Sequence, residues 1–167
     1  MNLFLSILVG LLCILFIYQD FKHRKVNVYA LILLFLTLGY TGYLELNTSI
    51  FPLIGINLLI LSFLLLSLVI YYSIKKKKIY NIIDKEFGLG DVVFLLTIIP
   101  FFSFTNFLYF VITSVFMSFI YLLLSGNKVI PFAGIMAILL LFLIGLKQFK
   151  FVENYYFEKT ILELFQS

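Results

Sequence analysis

Tryptophan is absent from this chain, and cysteine and histidine occur once each. A single cysteine, Cys13, excludes an internal disulfide and any metal site built from clustered cysteines. It lies within an apolar run and reads as a small buried or lipid-facing residue. The single histidine, His23, excludes a His-rich zinc site and reads as an exposed loop residue. No Gly-x-Ser-x-Gly and no phosphate-binding loop occurs. No metal and no cofactor is expected. Charge is also scarce, at 12% of residues, against roughly 25% in soluble domains. That shortage excludes an ordinary soluble domain. The formal charge of +4 does not point to nucleic acid, because the basic residues stand at the edges of apolar runs, where they orient a membrane protein.

What the chain has in abundance is hydrophobic residues, 63% of the total, with a mean hydropathy of +1.16. The expectation is an all-α polytopic membrane protein of about six transmembrane helices. One membrane domain covers residues 1–146, and an aromatic tail of mixed charge follows over 147–167. The lipid bilayer is its first partner. The first helix is expected over residues 3–18, about 24 Å long at about 1.5 Å per residue. The first residues carry no Lys or Arg, as a signal peptide would, so this helix reads as retained, with its N-terminus outside. The loop at 19–27 holds Lys22, Arg24 and Lys25 and reads as cytoplasmic. Helix two is expected over 28–44 and helix three over 52–74, opened by Pro52, whose missing N–H costs little there. Lys75 to Lys78 mark a second cytoplasmic edge, read as an anchor on anionic headgroups.

Residues 92–124 are too many for one span of a core about 30 Å thick. Pro100 and the cluster Ser103, Thr105 and Asn106 offer a break, which predicts short helices over 92–102 and 107–124. Pro131 opens a sixth helix ending near residue 146. This arrangement places nine of the twelve Lys and Arg residues on the cytoplasmic side.

Two acids then stand out. Asp91 follows Gly88-Leu89-Gly90 and opens an apolar run, and Asp20 closes the first one. A charged side chain near lipid costs about 2.5–3.5 kcal/mol on insertion scales, so an acid kept there is a functional candidate. Glycine lets backbone approach closely, and a Gly-x-Gly before a carboxylate suggests a cleft open to an extended peptide. The helix count places both acids at the same cytoplasmic depth. Two aspartates sharing one proton can cut a peptide bond. Close like charges do not both ionise easily, so one acid activates water while the other polarises the carbonyl. Plainer readings stand beside this one. Asp20 can pair with Lys22 or Arg24, and Asp91 can be the N-cap of helix four. Asp84 and Glu86 read as solvated loop charges.

Gly88-Leu89-Gly90-Asp91 resembles the Gly-x-Gly-Asp motif of the type IV prepilin peptidases, aspartic proteases of bacterial and archaeal membranes. The segment from Asp20 to Val26 resembles that family's first site, an aspartate followed by basic residues and a branched aliphatic. Ile130-Pro131-Phe132 is similar to a third landmark at the start of a late helix. The landmarks come in family order and cover nearly the whole chain. The resemblance implies a six-helix core in the bacterial inner membrane and cleavage of the leader of a prepilin-like precursor at the cytoplasmic face. It implies Asp20 and Asp91 as the catalytic pair, with Gly88, Gly90 and Pro131 shaping the cleft. The chain departs from the family in three places. Asn27 follows Val26 without the usual proline, Val93 stands where the family often has lysine, and Ala133-Gly134 replaces the usual Gly-x-Pro. The paired Cys-x-x-Cys of the larger members is missing, so the chain resembles the compact, peptidase-only form. Two other functions are weighed against this one: a non-catalytic membrane scaffold of the same fold, and a small proton-coupled transporter.

Overall fold

A computed structural model of the chain describes residues 3–46, 50–78, 88–125 and 130–148. The segment at 79–87 with Asp84 and Glu86, the tail beyond Gln148, and most of the turns expected at 45–49 and 125–128 lie outside the described residues. All regular structure among the described residues is helical. Six α-helices run in order: α1 (Leu3–His23), α2 (Val28–Leu46), α3 (Ile50–Lys76), α4 (Leu89–Ile98), α5 (Phe104–Ser125) and α6 (Phe132–Gln148). A 3₁₀ turn, Ile99–Phe101, joins α4 to α5. α1, α2, α3 and α5 are long and apolar enough to cross a membrane; α4 and α6 are shorter apolar helices. Only Ile50, Asn57 and Leu61 of α3 are buried. A helix this apolar and this exposed needs lipid or another apolar surface around it.

Several helix ends differ from the sequence expectation, and each difference has a local cause. α1 runs past residue 18 to His23, so Asp20 sits in its last turn and not in a loop. Termination falls to Arg24, which takes a left-handed φ of 53° and donates its N–H to the Asp20 carbonyl at 3.1 Å. This is the single-bond left-handed cap of a helix C-terminus. Three residues later Asn27 caps α2, its Oδ1 accepting the Tyr29 N–H at 2.9 Å. The Asn27 N–H is in turn held by Gln19 Oε1 at 3.0 Å. At the end of α3, Lys77 also has a φ of 53°. Its N–H bonds the Ile74 carbonyl and that of Lys78 bonds the Ser73 carbonyl, both at 3.2 Å, which is a Schellman closure.

α4 begins before Asp91, not after it. Gly88 is the N-cap, in extended conformation. Its carbonyl accepts the N–H groups of Asp91 and Val92 at 3.0 and 3.3 Å. Asp91 is thus the third residue of the helix, which corrects the N-cap reading. Gly90 lies within the first turn, so the two glycines are not an open loop ahead of the helix.

The expected break at Pro100 is present. Pro100 occupies the 3₁₀ turn and Phe102 is extended, after which the Ser103 carbonyl accepts the Phe107 N–H at 2.8 Å. α5 therefore starts at Phe104, and Thr105 and Asn106 belong to its first turn. A broken helix frees carbonyls that must be satisfied when buried. Asn57 of α3, fully buried, answers this by donating from Nδ2 to the Ile99 and Phe102 carbonyls at 3.2 and 2.8 Å.

α6 lies at the centre. Pro131 to Ala137, Leu140 and Ile144 are buried, and α1 packs along it more extensively than any other helix does. Gly10 of α1 faces Leu141 closely enough that a Cβ would sit 3.6 Å from its Cδ1, ordinary contact distance. α2 packs against α4 and the 3₁₀ turn. Phe16 and Phe94 meet edge to face at 5.6 Å between centroids and tie α1 to α4 within the core.

Candidate active site

The first turn of α6 is where the site forms. Pro131 is the residue before α6, and its carbonyl accepts the Ile135 N–H at 3.0 Å. The next N–H groups have no partner within the helix. Two of them are used by the acids. Ala133 N–H donates to Asp91 Oδ1 at 2.8 Å, and Gly134 N–H donates to Asp20 Oδ2 at 2.7 Å. These distances are in the range of charge-assisted bonds, and the positive end of the helix dipole favours the same charge. Residues 71 positions apart in the chain are thereby held on consecutive amides of a third segment.

Asp20 is 7% exposed, and Asp91 is half-buried. The two carboxylates lie in each other's electrostatic field, the Gly88 N–H also bonds Asp91, and Arg24 acts on both acids. Lys22, the other candidate partner of Asp20, points elsewhere: its Nζ donates to the Tyr18 hydroxyl at 2.6 Å and stands 4.9 Å from that ring's centroid. The glycines of the motif act through absent side chains. A Cβ on Gly88 would stand 2.9 Å from Asp91 Oδ2, and one on Gly90 would stand 3.1 Å from Val26 Cγ2. Gly90 thus lets the connection between α1 and α2 approach α4. Gly88 and Leu89, at the start of α4, are exposed. Val93, two residues after Asp91, is packed against the hydrophobic core.

All five residues marked in the sequence, Asp20, Asp91, Gly88, Gly90 and Pro131, therefore meet in one place. The sequence did not reveal the two amides that join the acids, nor Phe21, whose ring lies against Gly134. Main-chain donors leave no mark in a side-chain pattern. The signal nearest to them was Pro131, which locates the start of a helix and hence its unpaired N–H groups. Searches against known protein families, curated proteins and solved structures give no match to this chain.

Proposed function

We propose that this chain is a membrane-embedded aspartic endopeptidase, similar to the compact type IV prepilin peptidases, acting at the cytoplasmic face of a bacterial inner membrane. One observation carries the reading: Asp20 and Asp91 are held by consecutive amides at the start of α6. Two carboxyl groups at such a site share one proton. The ionised acid takes a proton from water as the water oxygen adds to the scissile carbonyl carbon. The protonated acid hydrogen-bonds the carbonyl oxygen and stabilises its growing negative charge. The amine then leaves with a proton, and the acids return to their starting state. The exposed Gly88 and Leu89 leave room for an extended chain to reach the pair. An apolar groove of about 370 Å³, bordered by α2, α3 and α4, includes Val93 in its lining, two residues from Asp91. That neighbourhood suits a precursor whose cut site is followed by an apolar segment.

Acids at helix ends, one of them beside the exposed Gly88, favour hydrolysis over proton-coupled transport, in which acids buried mid-helix carry the proton. Scaffold function is favoured by one feature, the apolar Val93. The test is co-expression with a precursor that has a basic leader, a glycine at the cut and an apolar helix after it. Asp20→Asn and Asp91→Asn should each abolish cleavage, and the double variant should be little worse than either, because residues acting as a unit are non-additive. Equal cleavage by wild type and Asp20→Asn would sink the dyad. No cleavage of any precursor by the wild type would favour the scaffold.

A further inference from the structure

The consecutive residues Ala133 and Gly134 do the same work through their amides but stand in different surroundings. Ala133 carries a methyl group and is fully buried. Gly134 has no room for one. A Cβ there would stand 2.8 Å from both Cδ2 and Cε2 of Phe21, and 3.2 Å from Asp20 Oδ2. Carbon atoms in packed interiors approach to about 3.5–4.0 Å, so either the ring or the helix would have to move. The ring is 37% exposed and meets Tyr121 of α5 on one side, edge to face with centroids 5.8 Å apart. The start of α6 is buried from Pro131 onward. Phe21 is also the chain neighbour of Asp20, so a shift of the ring is passed to the acid itself.

We propose that Gly134 is a positioning residue of the site: its missing side chain admits the Phe21 ring, and this close fit sets its N–H on Asp20. The inference rests on the peptidase reading for its effect on rate, and on geometry alone for the steric pair. A methyl group at position 134 forces the Phe21 ring or the start of α6 to give way, and either movement draws Asp20 Oδ2 and the amide apart. Removing the ring restores the approach. Phe21 and Gly134 are therefore a large–small pair in which enlarging one member is compensated by shrinking the other.

The experiment compares full-length wild type, Gly134→Ala, Phe21→Ala and the double variant, each purified from membranes. Cleavage of the precursor and thermal unfolding are measured on the same samples. Gly134→Ala is expected to lose about 100-fold in kcat with little change in KM, the scale of loss that about 1 Å of misplacement produces. The double variant should recover to near the rate of Phe21→Ala. In thermal unfolding, Gly134→Ala should lower the Tm clearly in the presence of Phe21 and much less in its absence. Should Gly134→Ala fail to accumulate as folded protein, accumulation of the double variant reports the same relief, and failure of both overturns the proposal. Wild-type kcat in Gly134→Ala, or no rescue by Phe21→Ala, also overturns it and leaves the peptidase reading intact. Thermal coupling in a wild type that cuts no precursor supports the steric pair and sinks the peptidase reading instead.

Discussion

A methyl group at position 88 would reach within 2.9 Å of Asp91 Oδ2, although Gly88 itself is exposed to its surroundings. That combination separates function from stability at a single residue. Gly88→Ala should leave the chain folded and inserted, since no residue of the hydrophobic core is displaced, yet lower precursor cleavage by about tenfold or more through the displaced acid. The check is a rate measured at matched protein level beside a thermal unfolding curve. A second expectation belongs to the same scale. Hydrolysis by two carboxylic acids uses no metal ion, and the chain has one histidine and one cysteine to offer. EDTA should leave cleavage unchanged; loss of activity restored by zinc would count against the mechanism. Both acids were legible from sequence because an unneeded charge at an apolar run is expensive. Their meeting was not legible, because Ala133 and Gly134 join them through backbone atoms that every residue but proline possesses.

At the scale of the helices, Asn57 decides how the break between α4 and α5 is tolerated. Its two N–H bonds close the Ile99 and Phe102 carbonyls, while its Oδ1 has no partner among the described residues. Asn57→Leu keeps the branched shape, in a larger side chain, but leaves two buried carbonyls without these donors. It also removes the unpartnered Oδ1, which offsets part of the loss. The net cost should be about 1–2 kcal/mol, read as a lower Tm in detergent. No change in Tm would mean that the break is satisfied by other groups. The break itself was readable from Pro100, because a proline lacks the N–H that a continuous helix needs. Helix ends were less so. α1 and α3 close on Arg24 and Lys77 in left-handed conformation, where glycine is the usual signal, so residue type gave no warning. α4 was expected to begin too late, since Gly88 and Gly90 argue against helix in an interior. At the N-cap and in the first turn that penalty is small.

At the scale of the molecule, the six helices of the described residues make a labelling pattern. In a Cys13→Ser background, cysteines placed at Lys76 and Asn127 should react only with reagents that enter the cytoplasm, and one placed at Thr48 should react from outside. Labelling of the Asn127 site from outside would make residues 92–124 a single span and overturn the topology. The fold class was plain from composition, since so apolar a chain with so little charge has few alternatives to a helical membrane domain. The assembly also has a mechanical consequence. Asp20 and Asp91 are carried by different helices, yet both hang from consecutive rungs of α6. They are coupled in parallel to one support. Retreat of that single end by the length of a hydrogen bond would part both acids from their α6 amides together, so this shared hold is made or unmade in one movement.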